Sequence, residues 1–174
     1  LFPVNVLIAI IIRITSPGKI LYKQIRVGLN GVQFTLIKFR TMYDNSEDNT
    51  GPIWSDKEDN RITGPGKILR KYHLDEIPQL LNVLYGNMSI IGPRPERPEI
   101  IENLMTNIPY YSRRFKVKPG LTGWAQIMGV YDVSVADVHN KLKHDFYYIE
   151  NISILLDLKI LLLTIFVVLR GKGQ

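Results

Sequence analysis

The chain opens on an apolar run, Leu1 to Ile12 (LFPVNVLIAIII), and closes on a second, Ile152 to Leu169 (ISILLDLKILLLTIFVVL). As a helix the first covers about 18 Å, short of a hydrocarbon core about 30 Å thick. It begins in mid-run without Met, which points to a fragment whose first part is missing. The second run is 18 residues and could just span a membrane. Asp157 and Lys159 fall in its first half, where hydrocarbon would make them costly. A helix packed on the domain, or lying at an interface, is therefore expected over 152–169.

Between these runs the pattern changes with position. Thr15 to Gly18 (TSPG) reads as a turn. Ile20 to Arg26 and Gln33 to Phe39 can pair as strands across Gly28-Leu29-Asn30-Gly31. Tyr43 to Asn60 is polar, with little apolar periodicity, and is expected to be a mobile surface loop that could cover a substrate. A helix is expected over Lys67 to Tyr72. Ile77, Leu80, Leu81 and Leu84 recur at i, i+3, i+4 and i+7, one face of a short helix ended by Gly86. Pro78 is tolerable only in its first turn, which puts Asp75 at or near the N-cap. Met88 to Ile91 is a short apolar run stopped by the stiff turn Gly92-Pro93-Arg94-Pro95. Pro98 to Asn107 and Val138 to Ile149 read as helices. Together these predict an α/β domain of the α+β kind, rich in helix, with a small sheet: residues 1–14 form the N-terminal helix and 15–174 one compact domain.

Composition narrows the chemistry. The 174 residues include no cysteine, which removes disulfides, thiolate catalysis and zinc-thiolate sites. Lys and Arg number 22 against 16 acids, a net +6. Such a balance suits nucleic acid, an anionic membrane or phosphorylated substrates, and does not choose among them. Tyr110 to Lys118 (YYSRRFKVK) mixes aromatics with cations, as a single-strand groove or a membrane interface would. The membrane-like ends favour the membrane and argue against nucleic acid. Asp44, Ser46 and Asp48 have calcium-loop spacing, but Asn49 and Ser55 stand where Gly and Glu are required. Gly64-Pro65-Gly66-Lys67 lacks the spacing and the Ser or Thr of a phosphate loop. His139 and His144 are five apart, not four, and read as surface or packing residues.

The candidate site is Arg70 to Pro95, where Arg70 and Lys71, the adjacent acids Asp75 and Glu76, and Arg94 lie close in sequence. Two readings of the acids stand: an N-cap favoured by the helix dipole, or a reactive pair. Lys38 and Arg40 alternate onto one strand face, either as solvated charges or as a phosphate seat. Gly120 to Gly123 before Trp124 is a backbone-exposing loop or an ordinary turn.

The stretch LRKYHLDEIPQLLNVLYGNMSIIGPRP (69–95), with KFRTM (38–42) before it and KPGLTGWAQ (118–126) after it, resembles the bacterial sugar transferases. These are the monotopic polyprenyl-phosphate phosphoglycosyl transferases, and the resemblance runs from about Pro3 to about Leu169. It implies transfer of a hexose 1-phosphate from a UDP-sugar to polyprenyl phosphate, giving a polyprenyl-diphosphate sugar and UMP. Asp75 would be the nucleophile and a ligand of Mg²⁺, or Mn²⁺. Glu76 would orient the metal or the lipid phosphate. Arg40 and Arg70, with Lys38, would hold the lipid phosphate, and Arg94 between Pro93 and Pro95 the nucleotide. Gln126 would contact substrate, and Asp145 would support the site. The resemblance also implies a re-entrant helix broken at Pro3, with Val4 to Ile14 as its returning half, on the cytoplasmic face of the bacterial inner membrane. Homodimers remain open. The chain departs from the family at Asn87, where an acid is usual, and at Ile127-Met128-Gly129, where Asn-Gly usually follows the glutamine. A membrane-surface scaffold without catalysis is the rival reading.

Overall fold

The computed structural model describes residues 2–44, 46, 59–129 and 135–171. Its N-terminal helix α1 (Phe2–Thr15) leads into the hairpin β1 (Leu21–Val27) and β2 (Gln33–Phe39). The strands pair antiparallel, with Tyr22 opposite Lys38 and Arg26 opposite Phe34. The connection uses a 3-10 turn, Leu29–Gly31, in which Asn30 takes φ 54°. Asn tolerates this left-handed conformation better than most residues. Helix α2 (Gly64–Lys71) follows, its start fixed by Thr63, whose hydroxyl accepts from the Gly66 amide.

Next come α3 (Gln79–Leu84), β3 (Ser89–Ile91), α4 (Pro98–Asn107), β4 (Gly120–Thr122), α5 (Trp124–Ile127), α6 (Val135–Glu150) and α7 (Ile154–Leu169). The mixed, helix-rich class is as expected, but the small sheet is two separate pairs. The second, β3 with β4, is parallel. Its backbones approach so closely that a Cβ on Gly120 would run into the Gly92 amide. The KPGLTG turn is thus glycine-rich for packing as well as for any ligand.

Burial is shared among several clusters. Val27, Ile101, Leu104, Ile108, Tyr111, Val138 and Leu142 join β1, α4 and α6. Ile8 and Ile12 seat α1 on Phe39 and Leu69, while Leu7, Ile10 and Ile14 on its other sides stay exposed. Helix α7 buries Ile160 completely against Ile91 and Tyr148, a contact worth about 1.5–3 kcal/mol. Its two charges both face protein: the Tyr148 hydroxyl donates to Asp157 at 3.1 Å, and the Lys159 ammonium lies 5.1 Å from the Trp124 ring centroid. The packing expected for this helix is present. Among the described residues no helix is long and apolar enough to cross a membrane.

Helix α3 inverts the expected amphipathic logic. Its inward residues are Gln79 and Asn82, whereas Leu81 and Leu84 face outward, Leu84 at 80% exposure. Asn82 explains the inversion. Its amide donates to the Thr35 carbonyl at 2.7 Å, and its carbonyl accepts from the Ile37 amide at 3.1 Å. One buried side chain thereby satisfies two of the backbone polar groups on the edge of β2 away from β1. Replacing Asn82 by Leu would keep the volume and strand both groups. We expect a loss of about 1–3 kcal/mol for each, read as a lower denaturation midpoint in detergent. An unchanged midpoint would show that these bonds contribute nothing net.

Candidate active site

The two central carboxylates are not helix caps. Pro78 has no N–H, so a regular helical ladder cannot run back through it. Residues Leu74–Glu76 close instead as a 3-10 turn, with the Glu76 amide donating to His73 and the Ile77 amide to Leu74. Helix α3 starts after Pro78, with no side-chain cap. The expectation of Asp75 at the helix N-cap is therefore corrected. His73, at φ 54°, turns the chain sharply out of α2. Asp75 and Glu76 end up buried, at 5% and 7% exposure.

Both line one cavity of about 720 Å³. Lys38 from β2, Arg70 from α2 and Arg94 from the turn after β3 also line it. The Arg94 guanidinium donates to Glu76 at 2.6 Å. Burial alone would raise the Glu76 carboxyl, but the Arg94 charge and hydrogen bond, together with His73 and Lys38, hold it below the usual carboxylate range, and Glu76 in turn raises Arg94. Asp75 goes the other way. Burial and the neighbouring Glu76 charge push it up, against the pull of Lys38 and Arg70. Burial also brings Lys38 down to about 8, opposed by Asp75. Two adjacent acids are thus given opposite preferences by their surroundings, an arrangement typical of reactive carboxylate pairs.

The turn that carries Arg94 is unusual in its hydrogen bonding. Pro93 and Pro95 have no N–H, so the segment offers mainly carbonyls, and the donors must come from elsewhere. The Pro93 carbonyl accepts from Gly120 and the Glu96 carbonyl from Val27. Arg114 donates to the Arg94 carbonyl at 2.9 Å, and Arg26 to the Pro95 carbonyl at 3.0 Å. Asp145 pairs with Arg114 at 2.8 Å, and the Tyr111 hydroxyl accepts from Arg114 at 2.6 Å. Asp145 therefore stands behind the Arg94 turn, outside the cavity wall. Arg114 and Tyr111 are buried, so YYSRRFKVK is not a continuous basic surface.

The other expected residues divide. Arg40 lines the cavity, but its guanidinium donates to the Pro17 carbonyl at 2.6 Å and the Ser16 carbonyl at 2.7 Å, just past the end of α1. Arg70 donates to the Thr41 hydroxyl at 2.9 Å. Gln126 lines the cavity and donates to the Leu121 carbonyl at 3.1 Å. Pro93 and Pro95 shape the turn from behind. Tyr43, Asp44 and Ser46 line the cavity; most of the covering loop expected over 43–60, with Asp48, Asn49 and Ser55, lies outside the described residues. His139 is exposed and His144 half-buried, as expected.

Sequence reasoning missed a polar ladder on β1. Arg26 donates to Gln24 at 2.7 Å, and Gln24 donates to the Tyr22 hydroxyl at 2.9 Å. The Lys38 ammonium lies 5.4 Å from the Tyr22 ring centroid. The signal was the period-two spacing of Tyr22, Gln24 and Arg26, which places them on one strand face. Also missed was Glu96, buried between Lys141 at 2.6 Å and Arg26 at 3.6 Å.

Residues 1–171 match the family described as "Bacterial sugar transferase". The chain belongs to that family. An uncharacterized sugar transferase, EpsL, of Bacillus subtilis (strain 168) is 44% identical over 94% of this chain and 76% of its own length. A protein of Aeromonas hydrophila, named UDP-N-acetylgalactosamine-undecaprenyl-phosphate N-acetylgalactosaminephosphotransferase, is 42% identical over 98% of this chain. A UDP-glucose:undecaprenyl-phosphate glucose-1-phosphate transferase of Xanthomonas campestris pv. campestris is 38% identical over 99% of it. This bacterial sugar transferase chain spans 40% of the length of the Aeromonas relative and 36% of the Xanthomonas one.

Glu96 provides a pH test of how the site is held. Burial alone would raise its carboxyl, but Lys141 and Arg26 bring it down to about 2. Its unfolded value is about 4.3. A depressed folded value means its stabilisation is complete above about pH 4.3 and disappears as pH falls toward about 2. Glu96→Gln should flatten the pH dependence of the denaturation midpoint in that window. Lys141→Met, which leaves a buried carboxylate without its ammonium, should cost about 3–5 kcal/mol at neutral pH. A Glu96→Gln curve parallel to wild type would show that other groups set the acid sensitivity.

Proposed function

We propose that this chain transfers a hexose 1-phosphate from a UDP-sugar to polyprenyl phosphate, releasing UMP. The reading rests on one observation above all. In a chain of this family, a buried carboxylate pair with opposed proton affinities lines a cavity together with Lys38, Arg70 and Arg94. The relatives from Aeromonas and Xanthomonas carry names for reactions of this kind.

An Asp75 carboxylate oxygen attacks the phosphorus that bears the sugar. The bond from that phosphorus to the bridging oxygen breaks, and UMP leaves with the electron pair. A phosphosugar–aspartyl ester remains. An oxygen of the acceptor phosphate then attacks the same phosphorus, and the Asp75 carboxylate is released. Lys38 and Arg70 offset the charge of two anions brought together. Glu76, held by Arg94, keeps that guanidinium fixed toward the donor phosphates. Because burial and Glu76 raise Asp75, the cations are needed to keep it ionised and nucleophilic.

Among the described residues no cluster of three His, Cys, Asp or Glu could hold a metal alone. Mg²⁺, or Mn²⁺, fits this donor set because Mg²⁺ commonly binds through one or two carboxylates and the substrate's own phosphates. Asp75 would hold it, and the bound ion would neutralise diphosphate charge. The exposed apolar sides of α1, α3 and α7 would place the site at the cytoplasmic surface of the bacterial inner membrane. There α1 would serve as the returning half of a re-entrant helix.

The test is intact-protein mass after mixing the full-length protein with Mg²⁺ and a panel of UDP-sugars, without acceptor. The expected result is a gain of one phosphosugar with UMP released. Asp75→Asn should show neither and should lose roughly 10³-fold or more in turnover. UMP release only when polyprenyl phosphate is present, with no adduct, would replace the covalent route by direct transfer. No UMP under any condition would overturn the transferase reading.

A further inference from the structure

The cavity has walls of two chemistries. One is polar and cationic, carrying Gln24, Arg26, Lys38, Arg70 and Arg94. The other carries Ile77, Leu80, Ile90, Leu161, Val167 and Val168, from the start of α3, from β3 and from α7. We propose that this apolar wall is the entry path for the acceptor's isoprenoid chain, which lies between α3 and α7 while its phosphate reaches the cations around Asp75. The proposal rests on the transfer reading above.

Several observations support this occupant over the sugar or the nucleoside. On α7, Leu161, Thr164 and Val168 are spaced three and four apart and form one stripe. The polar group in that stripe is already engaged. Thr164 donates to the Ile160 carbonyl at 2.8 Å and meets the Thr122 hydroxyl at 2.8 Å. The six apolar side chains offer a hexose or a base nothing to hydrogen-bond with, so polar groups laid there would lose water uncompensated. Branched hydrocarbon would gain from the same contact.

The wall also leads outward. Ile90 and Leu161 are each 38% exposed, at the rim. Beyond them Leu81 and Leu84 on α3, and Leu158, Leu162 and Ile165 on α7, are exposed. Apolar side chains of α3 and α7 are thus present both on the cavity wall and on the exposed faces of the same helices. At its far end α7 runs on to Gly171, which comes against Lys71 and Tyr72, immediately before the turn that carries the dyad. A chain following α7 inward would therefore deliver an anionic head to Arg70, Lys38 and Asp75. An amphiphile with a phosphate at one end complements both walls at once.

The direct test is photolabelling of the full-length protein in phosphatidylglycerol–phosphatidylcholine nanodiscs. The probe is polyprenyl phosphate with a diazirine on the isoprene unit next to the phosphate. Label on residues 77–84 or 161–168, competed away by unmodified polyprenyl phosphate, is the expected result. Label confined to α1 or to other elements, or label that competition does not remove, would overturn the proposal. The second measurement uses Val168→Trp, which narrows the path. It should raise the KM for a long-chain acceptor by roughly tenfold more than it changes the donor KM or acceptor-free adduct formation. Equal losses in both half-reactions would count against the proposal. Labelling does not require turnover, so a failure of the transferase reading, seen as no adduct in wild type, stays distinguishable from a failure of this one.

Discussion

Adjacent buried carboxylates repel, and most of this structure can be understood as the answer to that repulsion. Asp75 and Glu76 share a turn too tight to let them separate, so the compensation has to arrive from outside it. It arrives unevenly. Glu76 receives a direct guanidinium contact, whereas Asp75 feels Lys38 and Arg70 through the cavity. Had the cations been distributed evenly, the two acids would have been alike, and neither would have been set apart for attack. The division of labour therefore originates in the placement of Arg94.

That placement depends on a segment made of prolines. Fixing Arg94 takes Gly120, Arg114, Arg26 and Val27 as donors, and these sit on β4, the 3-10 segment Tyr111–Lys116, and β1. Buried charges of this sort rarely improve stability over a well-packed apolar core, since taking ions out of water is costly. Here they give one side chain a single position. The Asp145–Arg114 pair and the Glu96–Lys141 pair are best understood in this way, as groups whose contribution is geometric.

Much of this was legible in the sequence, for identifiable reasons. The hairpin, α4, α6 and α7 carry strong periodicity or clear stop signals, and they formed where those signals lie. The motif around Asp75 and Glu76 named residues that the fold gathers at one cavity. Local grammar failed at α3, because outward leucines and an inward Asn82 present the same spacing as the reverse. Period alone does not say which side of a helix is inside. It failed again at Arg114, which looks like one cation in a basic run until Tyr111 and Asp145 close over it. Glu96 and Lys141 are 45 positions apart in the chain, and nothing short of the tertiary fold could pair them. Arg40 was legible as a cation beside Lys38, but its attachment to Ser16 and Pro17 was not.

That attachment has a mechanical consequence. Arg40 grips the two carbonyls where α1 ends, and only one residue separates it from Lys38. The angle of α1 and the attitude of the reactive cavity are thereby geared together. If α1 rests in a bilayer, as we propose, the membrane becomes part of the instrument's alignment as well as its mooring. A change in bilayer thickness that rocks the helix would retune the reactive centre from a distance, with no ligand touched.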